Sequence, residues 1–477
     1  MEKYGDYDVV VVGGGTSGVP AAISSARAGA KTLLVEKWGA LGGQLNVSGP
    51  PGFAYAYLCN GQGEQIAGGF IEETYQRLFK EGHALPKSMP DFRIGTDFDL
   101  VDPDYWGLMV FNMMEEEGVE LMLNSLFTDV IMDGDTILGI VVQTPGGPYE
   151  VYGKVIIDCT GEGFVASKAG APYEQLPKNE LEPHTLSFTV DGVDWDKVMA
   201  FVKENVTYEF DPMLSPYQSD WTREQVIERF EKITSPTEIC QFMGFYKIRE
   251  EALANGDWHP YSGVGFFIMP RSNGVIQAHF QHSSQVGDVD PYDVRDMTRC
   301  EIECRKQIQI ALRFINKYLP GFENAYLTRI CNAIRIRESR RIMGDYKLIK
   351  ADVAAGRKFP DVIGKSAFSS GAKHVADDRT LELDDVVLPP NGGSTDIPYR
   401  CLVPQKIDNL LVGGKAVSTD RDSYLRFLQI TMVTGQAAGV AAAIAVKNGI
   451  TPRELEQDVS EVQTVLKSQG AILDGTN

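Results

Sequence analysis

The chain has 477 residues and carries 65 acidic against 45 basic side chains, which gives a formal net charge of −20. A nucleic-acid partner would require a basic surface, so this charge balance argues against one. The length exceeds that of one typical domain, and we expect two or three.

The cysteines and the hydropathy of the sequence indicate which metal sites and which cellular compartment to expect. Among seven cysteines only Cys300 and Cys304 lie close together, and no CxxC motif or four-cysteine group occurs. We therefore expect reduced thiols, with no iron–sulfur cluster and no other metal site. Residues 1–6 lead directly into a strand without a signal peptide, and no apolar run reaches the roughly 18 residues of a membrane helix. A soluble, cytoplasmic protein with no membrane partner is expected.

The first 36 residues read as strand, glycine turn, helix and second strand. Residues 9–12 form a continuous apolar, β-branched run, typical of a parallel strand covered on both faces. Gly13 permits a tight turn, Gly15 lets the backbone approach a pyrophosphate, and Gly18 lets the helix pack close to the strand. Glu36 ends the second strand, where its carboxylate can accept hydrogen bonds from a ribose diol. This pattern predicts a dinucleotide-binding βαβ unit.

After the βαβ unit the chain forms a long loop, and the helices and strands of the first domain then resume. A long loop at 38–69, rich in Gly, Pro and Tyr, is more often functional than idle at such a length. After it we expect helices at 69–81 and 104–117 and strands at 119–123, 128–132, 137–142 and 154–161.

The remaining chain divides into a mixed block and a closing nucleotide-type segment. In the mixed block we expect strands at 186–190, 264–269 and 275–282 and a long helix at 296–317; in the closing segment a strand at 409–414 and helices at 434–445 and 451–467. The predicted fold class is α/β, with a discontinuous Rossmann-like domain at 1–172 and 396–477, an inserted loop and helix region at about 45–118, and an α+β substrate domain at 173–395.

Five motifs, in order along the chain, carry a resemblance to a known family. They are residues 13–36, Asp158-Cys-Thr-Gly-Glu-Gly163, Arg337-Glu-Ser-Arg-Arg-Ile-Met-Gly-Asp-Tyr346, Pro398-Tyr-Arg400 and residues 409–445. The chain resembles FAD-dependent oxidoreductases with the glutathione-reductase-type nucleotide fold, and within them the branch related to fumarate reductase flavoproteins that carries the RESRRI-G-Y motif. The resemblance implies FAD as the cofactor and a Rossmann-like FAD-binding domain. It does not imply a substrate, because the group hosts many reactions.

The resemblance also implies which residues bind FAD. They are Gly13, Gly15, Thr16, Ser17, Gly18, Glu36, Lys37, Gly43, Gln44, Phe127, Val130, Thr160, Gly161, Gly414, Arg426, Gly435, Gln436 and Ala437. Phe127 and Val130 correspond to positions that bracket adenine. Gly435, Gln436 and Ala437 correspond to a helix start under the isoalloxazine, where the positive helix end stabilises reduced flavin. Gln429 departs from the family, which often has proline there.

Two motifs that are absent from the sequence argue against particular reaction types. The disulfide reductases of this superfamily carry a cysteine pair soon after the ribose-binding acid, and residues 37–58 contain none. No second GxGxxG follows a strand in the middle third, which argues against a dedicated NAD(P)H domain. Electrons would then come from the substrate, from an external carrier or from transiently bound nicotinamide.

Four arginines crowd one short segment and are candidates for substrate binding. On a strand, Arg335, Arg337 and Arg341 share one face and Arg340 lies opposite. One or two of them could bind a substrate carboxylate or the flavin; alternatively they pair with Glu338 and neighbouring acids. We name Arg337 and Arg340 as catalytic candidates.

A histidine and two tyrosines complete the candidate set. Strand alternation places His279 with glutamines on a polar face and His282 on an apolar face. His279 is a candidate acid or base, with a solvent-facing histidine as the alternative. Tyr55 and Tyr57 in the long loop are candidates for binding, or packed loop aromatics.

The sequence thus predicts an FAD enzyme that transfers a hydride between a small polar organic substrate and flavin N5. The alternatives are reduction of an activated C=C bond, with Arg340 or Arg337 as proton donor or carboxylate clamp, and an electron-relay subunit acting with a protein partner. A homo-oligomer is the default expectation.

Overall fold

The computed structural model describes residues 1–48, 55–56, 58–87, 98–205, 231–238, 241–368, 370–371, 373–375, 381–382, 385–423 and 425–475, together with residues 224, 227 and 228. The helices are α1 Gly18–Arg27, α2 Phe70–Lys80, α3 Pro103–Glu116, α4 Phe164–Ala169, α5 Trp195–Glu204, α6 Tyr246–Ala254, α7 Val294–Tyr318, α8 Lys350–Ala354, α9 Leu428–Asn448 and α10 Ser460–Ser468.

The strands are β1 Glu2–Val12, β2 Thr32–Val35, β3 Tyr55–Ala56, β4 Phe98–Asp99, β5 Glu120–Met122, β6 Leu126–Asp133, β7 Thr136–Thr144, β8 Gly147–Asp158, β9 Tyr173–Glu174, β10 Phe188–Asp191, β11 Gln241–Gly244, β12 Val264–Pro270, β13 Ile276–Phe280, β14 Tyr326–Ile330, β15 Arg341–Ile342, β16 Val362–Ser366, β17 Lys373–His374, β18 Leu381–Glu382, β19 Thr395–Pro398 and β20 Leu410–Val412. Most expected helices and strands are present within a few residues of their predicted ends.

The larger sheet has the strand order β5-β2-β1-β8-β7-β6. Strand β1 pairs in parallel with β2 and β8, so that Val12 lies opposite Val35 and Asp158. Strand β8 pairs with β7 in its first half and with β20 at its carboxyl end, where Leu411 lies opposite Ile157. The C-terminal segment therefore completes the sheet that the N-terminus begins, and the predicted α/β fold class is confirmed.

Glycines allow the first helix to pack at backbone distance on both sides. A Cβ at Gly18 would lie 1.7 Å from the carbonyl oxygen of Gly13, so no side chain fits between helix and strand. Gly435 and Gly439 in α9 would place a Cβ 2.0 Å from the carbonyl oxygens of Ser17 and Ala21. Helices α1 and α9 therefore cross backbone to backbone beneath the glycine turn.

Helix α9 is longer than predicted, starting at Leu428 and ending at Asn448. The alanine-rich stretch marked only its middle, because the first two turns carry larger residues that are also buried. By length and composition α9 could cross a membrane, but 89% of its most apolar window is buried within the protein. Helix α9 is therefore a core helix that packs against the larger sheet.

The predicted helix at 451–467 is wrong in its first turns. The capping contact exists, since Thr451 N–H donates to Glu454 Oε2 at 2.7 Å. It opens a short 3₁₀ turn, after which Asp458 adopts an extended backbone with φ −154°. Helix α10 therefore begins at Ser460.

The smaller sheet is antiparallel, with the strand order β11-β12-β13-β10-β14. One face packs an aromatic core in which the rings of Phe188 and Phe280 stack 4.9 Å apart. Helix α7 covers this core with Cys300, Cys304 and other buried residues. On the opposite face Thr189 Oγ1 lies 2.9 Å from His279 Nδ1.

Two apolar cores underlie the two sheets. The core of the smaller sheet takes its buried residues almost wholly from 186–334, whereas Ile342, Leu348, Phe359 and Ile363 belong to the core of the larger sheet. The domain division at residues 172 and 395 stays a prediction.

Candidate active site

A cavity of about 290 Å³ lies at the carboxyl ends of the parallel strands. Val12 ends β1, Val35 ends β2, Cys159 follows β8 and Gly414 follows β20, and all four line the cavity. Ligands of doubly wound sheets bind in this crevice, because the chain leaves the sheet there in loops and helix starts. The cavity is thus where the βαβ pattern predicts a dinucleotide.

Most of the predicted cofactor-binding residues lie together along this cavity. Those that line it are Gly13, Gly15, Thr16, Ser17, Glu36, Lys37, Gly43, Gln44, Phe127, Thr160, Gly161, Gly414 and Arg426. They come from segments separated by hundreds of residues, and the fold brings them into one cleft.

Five predicted cofactor residues do not line this cavity: Gly18, Val130, Gly435, Gln436 and Ala437. Gly18 and Gly435 hold α1 against its neighbours, and Gln436 Oε1 accepts a hydrogen bond from Phe70 N at 3.2 Å. The expected helix start at residues 435–437 is wrong, because α9 begins seven residues earlier. Leu428 and Thr431 of its first turns line the cavity instead.

Three features of the cavity fit a bound dinucleotide. A Cβ at Gly15 would meet only Gly43 Cα, at 3.8 Å, so the space a side chain would fill is left open. Within the described residues, Gln44 Oε1 is buried and has no hydrogen-bond partner. Glu36 accepts from Gly14 N at 2.6 Å and Trp38 N at 2.9 Å, and burial raises its pKa although these amides oppose the shift. The two amides fix the carboxylate beside the cavity, with lone pairs left for a diol.

Several lining residues were not named from the sequence. Trp38, Leu126 and Phe164 form an apolar rim, and Trp38 is 42% exposed. Lys415 donates to the carbonyl of Ile336 at 2.8 Å and pairs with a glutamate. Their positions in the sequence could have identified two of them, since Trp38 lies two residues after Glu36 and Lys415 directly follows Gly414.

The four arginines at 335–341 do not lie on one strand. Only Arg341 is in a strand, β15, and its Nη1 donates to Glu338 Oε1 at 3.0 Å. Arg340 makes contacts of its own: it stacks on the Tyr292 ring at 3.6 Å, lies 4.7 Å from the Tyr173 ring and donates to Ser167 Oγ at 2.8 Å. Arg340 is therefore held between two tyrosines and a serine, as a packing residue would be.

Arg337 is buried at the centre of a group of titratable side chains. It is 1% exposed, and its Nη2 lies 3.1 Å from His282 Nδ1. The His282 ring stacks on His374 at 5.3 Å, and His374 Nδ1 lies 2.8 Å from Glu182 Oε2. Arg426 Nη2 donates to the same carboxylate oxygen at 2.8 Å. We call Glu182, His282, Arg337, His374 and Arg426 the arginine–histidine cluster.

The cluster reaches the cofactor cavity through Arg426, which belongs to both. Burial of Arg337, together with repulsion from Arg426, lowers its pKa to about 9 despite Glu182. Burial and nearby arginines lower the pKa of His374 to about 3 and that of His282 well below its usual range. Both imidazoles are therefore neutral near pH 7.

Glu182 is the counter-ion of this cluster. Burial alone would raise its pKa, but Arg426, His374 and Arg337 together lower it to about 2. The placement of His282 here corrects its assignment to an apolar face: β13 ends at Phe280, so strand alternation no longer applies two residues later.

His279 lies on the polar face of the smaller sheet, as the alternation predicts. Its Nδ1 is 2.9 Å from Thr189 Oγ1, and its Nε2 is buried without a partner among the described residues. The side chain is 2% exposed, so the solvent-facing alternative is wrong. Burial and two arginines hold its pKa well below the usual range. His279 does not line the cofactor cavity.

The loop candidates cannot be placed in the site. Tyr55 lies in β3, whereas Tyr57 and residues 49–54 lie outside the described residues.

One family model matches nearly the whole chain, and curated relatives match shorter parts of it. A family model described as FAD dependent oxidoreductase matches residues 8–466. Digeranylgeranylglycerophospholipid reductase 1 of Methanococcoides burtonii is 26% identical over 204 residues, which cover 40% of this chain and 46% of that enzyme. The match therefore spans less than half of the reductase. Dihydrolipoyl dehydrogenase of Trypanosoma brucei brucei is 62% identical over 45 residues, or 9% of each chain.

A solved structure covers more of the chain at lower identity. A geranylgeranyl bacteriochlorophyll reductase-like protein of Thermoplasma acidophilum is 13% identical, covers 98% of this chain and 84% of its own, and superposes with a TM-score of 0.47.

Proposed function

This chain belongs to the FAD dependent oxidoreductase family and takes FAD as its cofactor, and from that premise we propose that it catalyses hydride transfer between flavin and a small organic substrate that bears a carboxylate. One observation carries the substrate assignment. Arg337 is almost fully buried, and its Nε and Nη1 have no partner within the described part of the chain.

The cofactor would be held by residues of the cavity already described. Backbone amides at the start of α1 would donate to the pyrophosphate, since the first N–H groups of a helix have no acceptor within it. Glu36 would accept from the ribose, and the first turn of α9 would lie at the flavin end. When bound, FAD supplies the redox chemistry by accepting or donating a hydride at N5.

Substrate binding would resolve an electrostatic imbalance in the arginine–histidine cluster. Burying an ionised group without hydrogen bonds is costly, and each unsatisfied donor costs about 1–3 kcal/mol or more for charged groups. Glu182 is the one carboxylate in the cluster and already bonds Arg426 and His374. A substrate carboxylate would accept a charge-assisted hydrogen bond from one of the remaining donors of Arg337, Nε or Nη1.

The two neutral imidazoles would orient the substrate and leave the charge to the arginines. His282 Nδ1 lies 3.1 Å from the guanidinium, so it accepts from Arg337 and presents its other nitrogen as a donor. Its lowered pKa prevents a third cation from forming beside Arg337 and Arg426. The positive charge that would bind an anion is therefore that of the arginines, and it does not depend on histidine protonation near neutral pH.

A second candidate is reduction of an activated C=C bond, with Arg337 as the proton donor. Its support is the pKa of Arg337, lowered to about 9, because proton transfer is most efficient when the donor's pKa approaches the working pH. Several matched relatives are named as reductases, which agrees with this direction. Arg340 is a weaker donor candidate than Arg337, since it is held in contacts with Tyr292, Ser167 and Tyr173.

The test starts from purified, yellow holoenzyme. Anaerobic addition of small carboxylic acids should bleach the oxidised flavin if the enzyme dehydrogenates them; chemically reduced enzyme should regain its colour with an unsaturated acid if it reduces them. Bleaching by a reduced protein carrier alone, with no response to any small acid, would replace the proposal by the electron-relay alternative.

Variants at two arginines separate binding from folding. Arg337→Met should lower kcat/KM about 10³-fold without reducing FAD content, whereas Arg337→Lys should restore part of it. Arg340→Met is the matched control, since it removes a neighbouring cation outside the cluster. Equal losses in the 337 and 340 variants would contradict the assignment of Arg337.

A further inference from the structure

A second cavity is lined by Arg337 together with residues 419–421, 425 and 426. Its volume is about 40 Å³. Six cationic and three acidic side chains line it: Arg337, Arg340, Arg341, Lys415, Arg421, Arg426, Glu182, Glu338 and Asp420. Lys415 pairs with Glu162 outside this cavity, and the other five cations still outnumber the three lining acids, so a further anion would balance the remaining charge.

The carboxylates of this cavity are already shared. Glu338 Oε1 accepts from Arg341 at 3.0 Å and lies 3.1 Å from Arg421 Nε. Glu338 Oε2 also accepts from the backbone N–H of Glu182 at 3.1 Å. One carboxylate therefore serves two guanidinium groups and an amide, which leaves positive charge uncompensated.

Polar atoms of the lining residues lack partners as well. Arg341 Nε and Ser339 Oγ are buried with no hydrogen bond to any residue that the structure describes. Arg341 is 9% exposed and Ser339 is 4% exposed. These two donors border one small space, and a negatively charged hydrogen-bond acceptor placed there would satisfy both.

The volume of the second cavity limits the size of the ligand that it can hold. A buried water needs about 10–15 Å³ of such volume, so the cavity holds about three waters or one small polyatomic ion. We infer that this second cavity is a binding site for a free inorganic oxyanion of the phosphate or sulfate type, held by Arg341, Arg421 and Ser339. The inference is independent of the direction of the flavin reaction.

Binding in this cavity would be transmitted to the flavin. Lys415 and Arg426 line both cavities. An oxyanion that pairs with them would offset part of their positive charge and so change the electrostatic potential at the flavin end of the cofactor cavity. An oxyanion bound in the second cavity would therefore stabilise the positively charged Lys415 and Arg426 beside the cofactor.

The experiment titrates sodium phosphate and sodium sulfate into the holoenzyme at constant ionic strength set with sodium chloride. We expect a saturable rise in Tm of about 2 °C at ten times Kd. The visible flavin spectrum should shift with the same midpoint. Acetate forms a separate arm: a response to acetate alone, with none to phosphate or sulfate, would assign the cavity to substrate carboxylates and overturn the proposal.

Variants identify the site. Arg421→Gln and Ser339→Ala should each raise the midpoint of the phosphate titration at least fivefold, with FAD content unchanged. Arg421 is the safer substitution because it is partly exposed, so its failure to fold is not expected to obscure the result. Arg305→Gln is the matched control, removing a surface arginine that pairs with Glu301 on α7.

Two results would refute the site. One is a phosphate or sulfate response no larger than that of chloride at the same ionic strength. The other is an unchanged midpoint in both Arg421→Gln and Ser339→Ala. Loss of substrate turnover would not count for or against it, since that outcome tests the proposed function.

Discussion

The cofactor cavity and the arginine–histidine cluster lie side by side and are built by different means. The cavity is shaped by backbone: glycine turns, helix starts and the ends of parallel strands. The cluster is shaped by buried charge, with one glutamate among two arginines and two imidazoles. Substitutions should therefore damage the first by adding atoms and the second by changing charge.

The largest effect is expected from one added methyl group under the cavity. Gly18→Ala places a Cβ 1.7 Å from the Gly13 carbonyl oxygen, so α1 must move away from β1. We expect a destabilisation above about 3 kcal/mol and colourless protein. FAD content and Tm measure this. Gly146→Ala is the control, since its Cβ would meet only Thr144 Oγ1 at 3.8 Å. A yellow, stable Gly18→Ala protein would show that the close approach is not required.

The next effect tests charge in the cluster. Glu182→Gln removes the carboxylate charge that pairs with Arg426, and breaking a buried ion pair typically costs about 3–5 kcal/mol. Denaturant unfolding of the holoenzyme measures it. Glu461→Gln, which breaks an exposed pair with Lys447, should cost under about 1 kcal/mol. Similar losses in both variants would mean that the cluster is not tightly coupled.

Glu182 should also make the free energy of unfolding depend on pH in the acid range. Its folded pKa of about 2 lies below its unfolded value, so its contribution is complete above about pH 4.5 and is lost as pH falls toward 2. Glu182→Gln should remove that part of the acid destabilisation.

The contrast in construction also explains what could be predicted. Gly13, Gly15, Gly18 and Glu36 stand close together in sequence, and each has a geometric reason that does not depend on distant residues. The βαβ unit, the sheet and most of the cavity therefore followed from local pattern.

The cluster could not be assembled in the same way. Glu182, His282, Arg337 and His374 are far apart in sequence, and their contacts arise only when the smaller sheet docks on the larger domain. Arg337 was named from the crowding of arginines, but Glu182 and His374 carried no local pattern. Arg340 was named for the same reason and lies elsewhere, because residues 335–340 do not form the strand that alternation assumes.

A buried histidine beside the cluster predicts a smaller, pH-dependent effect. Burial, with Lys415 and Arg337 nearby, lowers the pKa of His184 to about 3. The unfolded chain binds a proton at His184 below about pH 6.5 and the folded chain does not, so stability falls as pH drops from 6.5 toward 3. At pH 5 this histidine alone costs about 2 kcal/mol relative to pH 8.

His184→Asn measures that cost. The difference in unfolding free energy between pH 8 and pH 5 should shrink by about 2 kcal/mol in the variant. An unchanged difference would mean that His184 is protonated in the folded protein. Lys447→Gln, which removes the cation of an exposed ion pair with Glu461, serves as the control.

The smallest effect concerns Trp38, a large exposed aromatic side chain at the rim of the cofactor cavity. Trp38 lines the cavity two residues after Glu36, which fixes the tryptophan backbone through the hydrogen bond from its N–H. Stacking of a base on an aromatic ring contributes about 1–3 kcal/mol, so Trp38→Ala should weaken FAD binding about tenfold and Trp38→Phe much less. Titration of the deflavinated protein with FAD and with FMN separates the two ends of the cofactor. If Trp38 packs against adenine, the substitution weakens FAD and leaves FMN unchanged; equal weakening of both would place the tryptophan's effect on the cavity as a whole, because FMN lacks the adenine.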